Sequence, residues 1–105
     1  MIELDWFVRT LEGNFKVKGV DIKQIGHEAN EMYLDEIDES LLPNESIDNL
    51  PEALIFETMV VEDSKGVEWI GIIGVHPETR DWVIQIILKD GDPVHKELVE
   101  KENRQ

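Results

Sequence analysis

At 105 residues the chain has the length of a single domain and carries 24 acidic against 10 basic residues, a formal charge of −14. The absence of cysteine excludes a disulfide framework, a thiolate nucleophile and a thiolate metal site. No apolar run nears the ~20 residues a membrane-spanning helix needs, and the amino terminus lacks a basic segment followed by an apolar one, so the expectation is a cytoplasmic protein with no membrane partner.

Ile2, Leu4, Trp6, Val8 and Thr10 alternate with Glu3, Asp5, Phe7 and Arg9, the period-two pattern of a strand with one buried face. Leu11-Glu-Gly-Asn14 then reads as a hairpin connection, because Gly13 and Asn14 accept the positive φ that such turns require. Phe15 and Val17 continue the alternation, whereas Val20 and Ile22 fall on the opposite parity. Gly19 therefore marks a bulge or the end of a second strand.

Ile22, Ile25, Ala29, Met32, Tyr33, Ile37 and Leu41 fit a helical stripe, and Asp21 with Gln24 resembles a capping box, which predicts a helix over about 28–40. Gly26 and the polar cluster through Asn30 support a rival reading: a strand through Ile25, a turn over 26–30, and another strand around Met32 to Ile37. The stretch 41–51 holds Pro43, Asn44, Ser46, Asn49 and Pro51 and reads as an irregular connection with at most one helical turn after Ser46.

The runs 54–61, 67–75 and 82–89 are short and rich in β-branched and aromatic residues. They predict a three-stranded antiparallel meander, with turns at Asp63-Ser-Lys-Gly66 and His76-Pro-Glu-Thr79. One face groups Leu54, Phe56 and Val60 with Val67, Trp69, Ile73 and Val75, then Trp82, Ile84, Ile86 and Leu88. The other keeps Ile55, Met59, Val61, Ile70, Ile72, Val83 and Ile87. A sheet apolar on both sides must be covered on both. In the tail, Asp92 as N-cap and Pro93 at the first position predict a short helix to about residue 102.

The expected fold class is α+β: a mainly antiparallel sheet of about five strands, formed by an N-terminal hairpin and the meander 54–89, with one middle helix and a short C-terminal helix. Residues 1–105 form a single domain, with no repeat or linker.

The charge is concentrated. Residues 24–64 hold twelve acids and no lysine or arginine, while residues 1–23 balance four against four and residues 65–105 hold eight acids and six bases. A negative surface repels phosphate backbones, so direct nucleic-acid binding is disfavoured unless bases cluster elsewhere in the fold. The candidate acidic patch is Glu28, Glu31, Asp35, Glu36, Asp38, Glu39, Glu45 and Asp48. Hard divalent cations such as Ca²⁺ want several such oxygens, but the alternating Asp/Asn loop consensus with its central glycine is absent, and a solvated acidic face competes with metal binding.

His27, His76 and His95 show no ligand spacing, and no serine among Ser40, Ser46 and Ser64 sits in a nucleophile elbow. Gly71 and Gly74 lie within a strand, where close packing or a bulge accounts for them. Glu57 and Gln85 are the polar residues inside the central strands, and by parity they share a face. They mark either a ligand pocket or satisfied polar positions near an edge.

The expected function is a non-catalytic interaction domain that presents residues 24–64 to a basic protein partner. The alternatives are a small-ligand-binding or enzymatic domain with a pocket near Glu57 and Gln85, and Ca²⁺ binding by the acidic stretch. No cofactor or resident metal is implied. Self-association is expected only if an apolar face or edge stays uncovered.

Overall fold

The computed structural model describes residues 2–43 and 50–99. A helix, α1 (Ile2–Asn14), precedes five strands: β1 (Gly26–Tyr33), β2 (Ala53–Glu62), β3 (Glu68–Val75), β4 (Trp82–Lys89) and β5 (Asp92–Leu98). Single 3-10 turns at Ile22–Gln24, Leu34–Glu36 and Glu39–Leu41 interrupt the connections. The strands form one antiparallel sheet in sequence order, β1-β2-β3-β4-β5. No helix among the described residues is long and apolar enough to cross a membrane.

The expected meander and both of its turns are present, and the helices lie elsewhere than expected. Residues 2–14 are helical, where a strand and a hairpin connection were expected. Their alternation placed Phe7 among the polar residues, yet Phe7 and Leu11 are the fully buried side chains of α1. Leu4, Phe7 and Leu11 recur at helical spacing, and Glu3 and Asp5 in the first turn suit the positive end of the helix dipole. A helix wins because it covers an apolar sheet face that two added strands would leave bare. Beyond it, Lys16 turns the chain at φ 56°, and the Val17 N–H donates to the Leu11 carbonyl at 2.9 Å.

The middle helix is replaced by β1, which pairs with β2 over eight consecutive residues, from Gly26 opposite Val60 to Tyr33 opposite Ala53. All eight are exposed. The stripe residues Ala29, Met32 and Tyr33 stay exposed, and the segment takes instead the row of backbone partners that the edge of β2 offers. Asp21 does cap, accepting from the Lys23 N–H at 3.0 Å, but the helix it opens is a single 3-10 turn.

The C-terminal helix is also overturned. Residues 92–98 form β5, joined to β4 by the two-residue loop Asp90-Gly91, with Lys89 opposite Asp92. Both loop residues have positive φ, 48° and 87°, as a type I′ hairpin requires. This turn chemistry outweighs the helix-starting proline. Pro93 is tolerated because β5 is an edge strand with an irregular register at Ile87/Leu88. Residues 44–49 and 100–105 of the expected connection and tail lie outside the described residues.

The sheet has two apolar faces, and each has a cover. Against the first, α1 packs Phe7 and Leu11 onto Met59, Val61, Trp69, Ile73, Val75 and Ile87. Against the second, Leu34, Ile37, Leu41 and Leu42 pack over Leu54, Phe56, Ile84 and Ile86. Lys96 Nζ ties this second cover to β5 by donating to the Ser40 carbonyl at 3.0 Å. The face grouping expected for β2 and β4 holds for their central residues, but β3 is inverted relative to it. The five-residue loop 63–67 sets Val61 opposite Trp69, and Phe56 opposite Gly74. Loop length fixes register, and a one-residue difference exchanges the faces. An irregularity at Gly74/Val75 then brings Trp82 to the helix side.

The helix sets the Phe7 ring directly against Gly71 of β3. A Cβ there would lie 2.8 Å from Phe7 Cε1 and nearer still to Cδ1, so the ring occupies the space a side chain would need. Trp6 on the helix stands edge-on to Trp82 with centroids 6.2 Å apart, and Phe15 just past the helix end tilts against Trp69 at 5.3 Å.

Gly71→Ala is expected to cost about 1–3 kcal/mol in urea unfolding, as overpacking does, and Phe7→Ala about 3–5 kcal/mol. The double variant should cost less than the sum, because the shortened side chain vacates the space the new methyl needs. Gly13→Ala, with nothing within 4 Å of the added Cβ, should instead be neutral or stabilising by about 0.5 kcal/mol. Additive losses would place the constraint elsewhere.

Candidate functional site

The acidic candidates fall on two elements. Glu28 and Glu31 lie on β1 and point to opposite sides of the sheet, since Glu28 stands opposite Thr58 and Glu31 opposite Ile55. Asp35, Glu36 and Glu39 follow in the two 3-10 turns, with Asp38 capping the second. Glu45 and Asp48 lie outside the described residues. Two of these carboxylates shape the backbone: Glu36 Oε1 accepts from the Tyr33 N–H at 3.0 Å, and Asp38 Oδ1 accepts from the Ser40 N–H at 2.9 Å. The Ser40 N–H holds the Asp38 carboxyl below its ordinary value. Among the described residues none of the carboxylates from Glu28 to Glu39 forms an ion pair. No three His, Asp or Glu side chains among the described residues converge as metal ligands, which leaves the Ca²⁺ reading without geometric support.

β1 is one of the two edges of the sheet, and the edges differ. β5 carries Pro93 and a break in register. β1 has neither across its eight paired residues; Glu36 takes the outward Tyr33 N–H, and the outward backbone groups of His27, Ala29 and Glu31 form a regular row with no partner among the described residues.

Glu57 and Gln85 face the α1 side of the sheet, as parity indicated, but Ile73 stands between them on β3. Two strand spacings separate them, about 9–10 Å of backbone. Glu57 Oε1 is held by His27 Nε2 at 2.8 Å, an edge-strand histidine reaching diagonally across the β1–β2 pair. Neither residue lines the cleft around Trp69 or the one around Phe56 and Ile86. The satisfied polar pair near an edge is therefore what the geometry favours at Glu57.

An apolar cleft of about 270 Å³ opens on the second face, where Met32, Ile37, Leu41, Phe56, Ile72 and Ile86 line it. A cleft of about 400 Å³ lies on the α1 side, at the β2–β3 hairpin. Its walls are the segment after α1, the hairpin loop and the end of β4, which contribute Lys16 and Lys18, Lys65, and Lys89 around Trp69. Gly19, at φ 77°, lies against Ser64, whose Cβ would be 3.2 Å from an added Cβ, and this close approach brings the two loops together. The loop itself is organised by Asp63. Its Oδ1 accepts from the Lys65 and Val67 N–H groups at 2.8 and 3.1 Å, and its Oδ2 accepts from Trp69 Nε1 at 3.0 Å. The Trp69 indole, chiefly, holds this carboxyl below its ordinary range. Sequence reasoning missed the cleft because its four lysines are spread over residues 16–89 and no local motif joins them.

Compared with known proteins, the chain matches no family model, no curated protein and no solved structure.

The Asp63 bonds set a pH dependence. A carboxyl with a lowered folded pKa stabilises the fold above its unfolded value, near 3.8, and that contribution is lost as pH falls through the lower folded value. Asp63→Asn should therefore lower Tm at neutral pH, and the gap from the wild type should narrow below about pH 4. A gap that stays constant through the acid limb in calorimetry would remove Asp63 from this role.

Proposed function

We propose that the domain is a non-catalytic interaction module that receives an extended, basic segment of a partner protein along the outer edge of β1. The observation that carries this reading is the character of that strand: eight consecutive exposed residues at a sheet edge, without proline or register break, inside the segment that has no lysine or arginine. Strand addition to an open edge draws affinity from backbone hydrogen bonds and specificity from side chains on alternate positions. Glu28 and Glu31 supply one carboxylate to each side of an incoming strand, and Asp35, Glu36 and Glu39 extend the negative field beyond its end.

The same charges discriminate. Two copies pairing edge to edge would bring carboxylates together, as would an acidic partner, whereas a lysine- or arginine-bearing strand would neutralise them. The small-ligand alternative at Glu57 and Gln85 gains no comparable support, since His27 already engages Glu57.

A synthetic peptide alternating Lys with Val tests the proposal against its Glu-for-Lys counterpart and a version with central proline. Only the first should shift β1 amide resonances, with affinity falling steeply between about 50 and 200 mM salt as screening shortens the Debye length. Glu28→Lys with Glu31→Lys should weaken it by about tenfold or more. Equal binding of the proline peptide, or indifference to the charge reversal, would overturn the assignment.

A further inference from the structure

The lysine-walled cleft is separate from the edge strand and calls for a ligand of the opposite sign. Four of the ten basic residues of the chain, Lys16, Lys18, Lys65 and Lys89, line one cavity. None of these four forms an ion pair with a described residue. The one carboxylate in the cleft wall, Asp63, accepts from two backbone N–H groups and the Trp69 indole, and its charge also attracts Lys65 beside it. Glu62 and Glu68, the nearest acids along the strands, stand opposite each other at positions whose side chains project to the other face from Val61 and Trp69.

The cleft is also built for its contents in other ways. Lys89 Nζ stands over the Trp69 ring, 5.6 Å from its centroid, which orients an ammonium at the cavity wall. Lys16 sits in the left-handed region at φ 56°, an uncommon conformation for a lysine, in the loop that forms one side. The volume of about 400 Å³ falls within the range of small-molecule sites.

We propose that this cleft binds a small, multiply charged organic phosphate, with the four ammonium groups as its point-charge partners. Lysine serves phosphate as a compact donor of three N–H bonds, and several lysines around one cavity match a di- or triphosphate better than a single carboxylate. A nucleic-acid backbone is a poorer occupant, because the molecule as a whole carries −14 and the basic area is confined to one cleft.

The test is a titration of the ¹⁵N-labelled chain with pyrophosphate, read at the three tryptophan indole N–H resonances. The Trp69 signal should shift and saturate at millimolar concentration or below, while those of Trp6 and Trp82 stay in place. Lys18→Gln with Lys65→Gln should weaken binding by about tenfold or more, and Lys23→Gln, outside the cleft, should leave it unchanged. A response matched by chloride at equal ionic strength, or one that survives the double substitution, would overturn the site. A single-stranded oligonucleotide that binds more tightly than pyrophosphate would overturn the small-ligand assignment. The edge-strand reading is untouched by any of these outcomes, because no β1 residue lines the cleft.

Discussion

The Phe7 ring packed against the bare backbone of Gly71 is the contact through which the amino-terminal helix and the sheet become one structure. The central strands are apolar on both sides, and a sheet of that kind is stable only when each side is sealed from water. Removing the side chain at one position of β3 lets a helix approach closely, and the aromatic ring fills the space left. Everything after the helix inherits its placement. The segment from Phe15 to Ile25 must then cross from the helix to the free edge of β2. In crossing, it passes the β2–β3 hairpin, where Gly19 closes on Ser64 and Phe15 on Trp69.

The meander was legible because its strands advertise themselves by composition and its turns by Asp, Ser, Gly and Pro. The helix was not, since Ile-Glu-Leu-Asp-Trp alternates for half its length and satisfies both periods. Only the burial of Phe7 and Leu11 separates them. β1 illustrates the opposite failure. Glu28, Ala29, Glu31 and Met32 are good helix formers, but an exposed segment takes whichever backbone partner is offered, and β2 offered one. At the C-terminal hairpin the deciding signal was present in the sequence: Asp90-Gly91 is a strong two-residue turn, and it outweighed Pro93.

The candidate sites were legible to different depths for a related reason. A base-free stretch of forty-one residues is visible as composition, so the acidic region could be named by number, although not its division between an edge strand and two tight turns. The parity of Glu57 and Gln85 was right, but parity carries no information about the strand between them or about a histidine arriving from the neighbouring edge. The lysine cleft has no sequence signature. Its residues come from two loops and two strands, and only the hairpin register and the closure of one loop on another assemble them.

These placements separate charge along the sheet. Glu31 pairs opposite Ile55, eight residues along β2 from the Asp63 that organises the lysine cleft, a distance of roughly 27 Å at ~3.4 Å per residue. The Debye length at physiological salt is about 8 Å. The acidic edge and the basic cleft are therefore screened from one another in solution, so each presents its own sign to what approaches it. A net charge of −14 describes the molecule seen from afar. At contact distance, the lining of the cleft sets four lysines against the single carboxylate of Asp63.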